Sequence, residues 1–99
     1  MAADLIIAPE AERDLAEAYA WYEERQIGRG EDFLRRVDAC VQAICRAPEL
    51  HASSSEGFRR GLVRRFPYAV IYDYTADTVA IYGVFHCSSD PRGWKRRLL

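Results

Sequence analysis

One histidine in this chain has the setting of a chemical group. His86 closes an apolar run and leads into Cys87-Ser88-Ser89-Asp90-Pro91-Arg92-Gly93-Trp94, while two basic pairs, Arg59-Arg60 and Arg64-Arg65, stand upstream of the same run. Imidazole exchanges protons near neutral pH, and guanidinium groups stabilise a phosphate gaining negative charge. His86 with Arg65 and Arg92 therefore outlines a phosphodiester-cleaving set. Cleavage of RNA through its 2′-hydroxyl needs two proton-transfer groups, one for the hydroxyl proton and one for the leaving oxygen. The second is hard to find: Lys95 is the only lysine, no tyrosine follows Tyr82, and Asp90 is the only acid close behind His86. No catalytic residue is firm on this pattern. Arg65, His86 and Arg92 stand as the candidates for a nuclease.

Read as a binding surface, the same stretch asks for less. Arg60, Arg64, Arg65, His86, Arg92 and Trp94 form a basic set with one aromatic, suited to a polyanionic or acidic target. Each has a structural role open to it as well. The arginines can be solvent-facing strand residues, His86 can bond the adjacent loop, and Trp94 can pack the tail onto a sheet. The other histidine, His51, has no companion ligand, and Cys40, Cys45 and Cys87 lack zinc spacing. The expectation is no metal, no cofactor, and cysteines that serve as small buried hydrophobes in a reducing compartment.

The net charge of −1 hides a division. Residues 1–56 carry twelve acids against six arginines, whereas residues 57–99 carry eight bases against Asp73, Asp77 and Asp90. Such a split favours an acidic partner for the basic half, or serves as a solvated strand edge that discourages aggregation. With 49% hydrophobic and 29% charged residues the chain is globular rather than disordered, and 99 residues suit one domain over 1–99. Asp4 stands where a secretory signal needs basic residues, and 5–7 is too short an apolar run for a signal or a membrane span, so a cytoplasmic location is expected.

The elements that must position these residues follow from periodicity. Leu5-Ile6-Ile7 reads as a short buried strand. Pro9 opens a helix whose cap position holds Ala8, so the start lacks a side-chain acceptor. Leu15, Ala18, Tyr19 and Tyr22 recur at helical spacing, and the helix is expected to end near Gln26. Phe33, Leu34, Val37, Cys40, Val41 and Ile44 define a second helix that Pro48 stops. The short link between them implies an antiparallel hairpin. From Phe58 the period becomes two, giving strands over 58–66, with Gly61 a candidate bulge, then 68–74 and, after a tight turn at 75–77, 78–86. The predicted architecture is an α+β domain, β-α-α-β-β-β with a short C-terminal tail. Its helical hairpin packs on one face of a small, mainly antiparallel sheet. The opposite face is expected to stay apolar and uncovered, with Tyr82 and Val84 on one side of the last strand and Ala69 and Ile71 on one side of the strand before.

Three stretches in this order resemble the RelE/ParE superfamily of bacterial toxins. They are Ala8-Pro9-Glu10-Ala11 with Asp14-Leu15, then Arg65-Phe66-Pro67-Tyr68-Ala69-Val70-Ile71-Tyr72, then Val84-Phe85-His86 with Asp90-Pro91 and Trp94. The resemblance implies the toxin of a type II toxin–antitoxin, plasmid-stabilisation-type pair. It would form a hetero-oligomer with an antitoxin whose acidic, amphipathic C-terminal segment wraps it. Ala69, Ile71, Tyr82 and Val84 would then be the antitoxin-binding residues. The Pro-Tyr strand and the Asp-Pro-x-x-Trp tail look more like the ParE branch, which implies binding and inhibition of DNA gyrase rather than catalysis. The alternatives are a RelE-like endoribonuclease acting on ribosome-bound messenger RNA, and a non-toxic antitoxin-binding homologue. Ser88-Ser89 stands where members often carry arginine, a departure that bears on target binding by this loop.

Overall fold

In a computed structural model, which describes residues 2–54 and 57–98 (backbone only at 91, 94 and 98), the chain runs β1 (Asp4–Ile7), α1 (Pro9–Arg25), α2 (Arg29–Arg46), β2 (Arg59–Leu62), β3 (Tyr68–Thr75), β4 (Thr78–His86) and α3 (Pro91–Leu98). The sheet order is β1-β4-β3-β2, with β1 parallel to β4 and the other pairs antiparallel. This is the expected α+β architecture, and its tail is a helix. Among the described residues no helix is long and apolar enough to cross a membrane.

The hairpin of α1 and α2 closes through a bond that crosses between the helices. Ala8, the α1 N-cap, offers no side-chain bond, and Pro9 starts the helix without needing one. At the start of α2, Gly28 turns the chain with φ +90° and has no capping side chain of its own. Glu23 supplies the missing acceptor from α1. Its carboxylate receives the backbone N–H of Gly28 at 3.0 Å and of Gly30 at 3.0 Å. A carboxylate at this helix end also meets the positive end of the α2 dipole.

The apolar stripe of α2 drives the packing. Phe33, Val37, Val41 and Ile44 are buried against Val70, Tyr72, Val79, Ile81 and Val84 of the sheet, with Ala11 and Ala18 of α1 alongside. Tyr22 stacks on Phe33 at 5.4 Å and meets Phe66 edge-on at 5.0 Å, so the first helix's aromatic run divides. Tyr22 joins the core while Trp21 turns outward under the Arg25 guanidinium, 3.6 Å from its ring. Tyr72, fully buried, donates its hydroxyl hydrogen to the Pro48 carbonyl at 2.8 Å. Its oxygen therefore accepts from His51 Nδ1 at 3.2 Å, so His51 is half-buried and fixes the loop after α2 instead of standing on the surface. Arg59 bonds the carbonyls of Glu49 and His51 in that loop.

Several expectations change. Leu5, Ile6 and Ile7 form an exposed edge strand rather than a buried one, because β1 is the outermost strand and the chain leaves it at once for α1. Strand β2 is only four residues long. Gly61 is no bulge: its partner is Val70 in regular register, and a Cβ there would lie 2.8 Å from Ile44 Cδ1, so glycine admits α2 close to the sheet. The irregularity lies instead in β4. Ile71 pairs with Gly83 and Tyr72 with Ile81, which leaves Tyr82 as an extra residue. An extra residue reverses the alternation beyond it. Val84 therefore faces the helices with Ile81, and it leaves the docking set in which sequence alternation had placed it.

The far face of the sheet is not open either. Ala69 and Ile71 are buried there, beneath Phe85, Phe58 and α3. Phe58 meets Tyr82 edge-on at 5.6 Å, and Tyr82 donates to Asp73 at 2.9 Å. Of the cysteines, Cys45 is buried and Cys40 half-buried, and burial raises both thiol pKa values, but Cys87 is exposed.

Replacing Tyr72 by Phe removes the hydrogen bonds to Pro48 and His51 without changing ring packing. Urea unfolding is expected to show a loss of about 1–2 kcal/mol, with the slope of the transition unchanged.

Candidate functional site

Strand β1 covers only the first half of β4. Its register runs Asp4 against Thr78 to Ile7 against Ile81, and Ala8 N–H adds one bond to the Ile81 carbonyl at 2.9 Å. Beyond that point the outer edge of β4 has no strand neighbour, and α1 runs past it. Asp14, one turn into α1, fills the gap: its Oδ2 accepts the Val84 N–H at 3.0 Å. The same carboxylate takes a two-pronged bond from Arg97 of α3, Nη1 to Oδ2 at 2.7 Å and Nη2 to Oδ1 at 3.1 Å. Arg97 lies 4.6 Å over the Phe85 ring, and the bond to Asp14 raises its pKa above the ordinary guanidinium value. One carboxylate thus joins α1, β4 and α3.

Around this junction is a cleft of about 500 Å³, lined among others by Asp14, Glu17, Trp21, Tyr68, His86 and Arg97. His86 sits at its rim. The Ser88 backbone N–H donates to Nδ1 at 3.0 Å, and the Ser88 hydroxyl lies 2.7 Å from the same nitrogen. A backbone N–H can only donate, so Nδ1 is the unprotonated nitrogen and Nε2 carries the hydrogen. The Tyr68 ring meets the imidazole edge-on at 5.2 Å, and burial raises the Tyr68 pKa.

The acid nearest to His86 in sequence is committed elsewhere. Asp90 accepts the Arg92 N–H at 2.9 Å and the Arg92 guanidinium at 3.0 Å, which lowers its pKa. Two acids of α1 share a cleft with His86: Asp14, which is held by Arg97, and Glu17. Sequence reasoning missed Glu17, Asp14 and Arg97 as site residues because their helices meet β4 only in the fold. The one available signal was Asp14 within the Asp14-Leu15 pair of the resemblance.

The remaining expected site residues do not converge on His86. Arg60 lies by the hollow that holds Phe58 and Ile71. Arg64 lies beside Arg36, Cys40, His51 and Leu62, and Arg65, with φ +69°, beside Arg29, Arg35 and Arg36. Arg92 is exposed and held by Asp90. The side chain of Trp94 lies outside the described residues. Of the expected antitoxin-binding residues, Ala69, Ile71 and Val84 are buried and Tyr82 is half-buried. Among the described residues the exposed large apolar ones are instead Leu5, Ile6 and Ile7 on the β1 edge, Leu62 on the β2 edge, and Trp21, Ile27 and Leu50. Among the described residues no group of three or more His, Cys, Asp or Glu side chains has the geometry for a metal ion.

Asp14→Ala removes both the acceptor of the Val84 N–H and the anchor of α3, whereas Arg97→Ala removes the anchor alone. Urea unfolding is expected to show a loss of about 1–3 kcal/mol for the first variant and less than about 1 kcal/mol for the second. Amide exchange should quicken at Val84 in Asp14→Ala only.

Residues 5–91 match the family model for the ParE toxin of the type II toxin–antitoxin system, parDE. Among solved structures, the chain is similar to one from the chromosomal ParDE toxin–antitoxin system of P. aeruginosa. The TM-score is 0.75 at 16% identity, with 85% of this chain and 95% of that chain covered. It is also similar to a chain of the RelBE2 toxin–antitoxin complex of Mycobacterium tuberculosis. There the TM-score is 0.62 at 18% identity, with 87% and 99% covered. No curated protein matches.

Proposed function

Since the chain belongs to the ParE toxin family of type II toxin–antitoxin systems, we propose that it acts as the toxin of a plasmid-stabilisation-type pair, in the cytoplasm, by binding and inhibiting DNA gyrase. The observation that carries the choice of binding over catalysis is the commitment of two acids near His86, Asp14 and Asp90. Asp14 is held by Arg97 and the Val84 N–H, and Asp90 by Arg92. His86 Nδ1 is itself occupied by Ser88. Phosphodiester cleavage needs two groups free to exchange protons, and neither Asp14 nor Asp90 is one. His86 and Arg92 remain the proposed target contacts at this end of the sheet, with Arg60, Arg64 and Arg65 at other places on the surface.

The neutralising antitoxin is proposed to dock on the exposed apolar edge of β1. An edge strand with Leu5, Ile6 and Ile7 uncovered and backbone groups free on its outer side is suited to an added strand or an apolar helix face. This replaces the far sheet face, which α3, Phe58 and Phe85 occupy. A gene for a small protein with an acidic, amphipathic C-terminal segment is expected beside this one, and inspection of the flanking sequence checks it. Ile6→Asp should weaken capture of that protein at least tenfold in a pull-down while leaving toxicity in its absence intact.

One observation favours the second reading, a ribosome-dependent endoribonuclease: Glu17 and His86 line one cleft together with Arg97. Induced expression of the chain and of Glu17→Gln separates the two. On the gyrase reading both arrest growth, plasmid supercoiling falls, and transcripts stay whole. Loss of toxicity in Glu17→Gln, with transcripts cut only by the unsubstituted chain, would establish the nuclease. Absence of any growth defect from the unsubstituted chain would instead identify a non-toxic antitoxin-binding homologue.

A further inference from the structure

The division of charge along the sequence does not persist in space. Arg29, Arg35 and Arg36 belong to the acidic half of the chain, yet α2 brings them beside Arg64 and Arg65 of the β2–β3 connection. Two hollows of about 390 and 380 Å³ adjoin there, sharing Arg36 and Ala39. From Arg29 to Arg36 the helix advances roughly 10 Å, and Arg64 and Arg65 widen the strip toward the sheet.

Most of this charge is unspent. Arg35 is paired with Asp32, the one acid lining the strip. Arg36, Arg64 and Arg65 have no hydrogen bond or ion pair to any other described residue. Arg29 rests over the Phe66 ring at 4.7 Å, a contact that leaves its N–H edges free. The α2 N-terminus contributes nothing further, because Glu23 already occupies its amides. Glu31 is turned to the Tyr19 hydroxyl, and Asp38, two residues past Arg36, falls on another side of the helix.

We infer that this arginine strip along α2 binds the phosphate backbone of duplex nucleic acid. Guanidinium groups fit phosphate oxygens with two parallel bonds, and four free arginines give the strip a charge that no neighbouring carboxylate cancels. The occupant is a duplex rather than a single strand because the strip offers no exposed ring for a base to stack on: Phe66 is buried beneath Arg29, and His51 is turned to Tyr72. Beside Ala39, Ala43 and Cys40 it offers one large exposed apolar side chain, Leu62, too few to anchor the apolar face of an acidic peptide. Contacts of this kind carry no sequence preference. The inference is independent of whether gyrase or ribosome-bound message is the target.

The test is fluorescence anisotropy of a labelled mixed-sequence DNA duplex of about 20 base pairs with the full chain, across a salt series. Four phosphate contacts predict a log–log salt slope of about −3.6, or a loss of affinity of about 150-fold between about 50 and 200 mM salt. The double variant Arg36→Ala/Arg65→Ala should bind more weakly with the slope reduced to about −1.8, while Arg13→Ala/Arg96→Ala, equal in charge removed, should keep the full slope. Coincident thermal unfolding of the variants excludes misfolding as the cause. Failure to bind the duplex at low salt would overturn the inference. So would an equal loss in both double variants, or tighter binding of a single strand of the same length.

Discussion

The geometry of the molecule rests on the Asp14 carboxylate. The sheet leaves the outer edge of β4 without a strand neighbour beyond Ile81, because β1 is only four residues long. An unpaired backbone N–H at that place would weaken the hairpin that carries His86. Asp14 satisfies the Val84 N–H and holds Arg97 with both oxygens, so a residue of the first helix decides where the last helix lies. The cleft beside His86 and the coverage of the far sheet face both follow from this one group.

Its position also decides which surfaces are available to partners. With α3 held over β4, and with Phe85 and Phe58 beside it, Ala69 and Ile71 are buried. Uncovered apolar surface then remains at the sheet edges, at Leu5, Ile6 and Ile7 and at Leu62. Arg97 spends its charge on Asp14, and Arg92 spends its charge on Asp90, so the C-terminal end is less basic toward a ligand than its composition implies. A cluster of unpaired arginines lies instead along α2 and the β2–β3 connection. A small chain can thus keep surfaces for different partners apart even though most candidate residues are close together in sequence.

Much of the fold was legible because local rules agreed with it. The α2 stripe from Phe33 to Ile44, Pro9 at a helix start, Pro48 after a helix end, and the turn at Ala76-Asp77 each act within a few residues, and each appears where periodicity places it. What was not legible depends on pairing across the chain. The extra residue Tyr82 has no mark in the alternation of β4, yet it turns Val84 inward. The exposure of β1 depends on strand order, and Gly61 is explained by Ile44, far away in sequence. The site suffered most for this reason. Its basic residues were read as one group from their closeness in sequence, while strand and helix geometry sends Arg60, Arg65 and His86 to different parts of the surface. Glu17, which shares the cleft with His86, comes from α1, in the acidic half of the chain.

The proposed route of inhibition by this ParE-family chain is binding of gyrase rather than cutting of RNA. The most direct measurement adds the purified chain to purified gyrase and relaxed plasmid, and follows supercoiling as the ratio of chain to gyrase rises. On the gyrase proposal supercoiling fails as the chain approaches equivalence with the enzyme, with no cleavage of message in a parallel translating-ribosome reaction. Undiminished supercoiling at large excess, together with cut message in the parallel reaction, would contradict it.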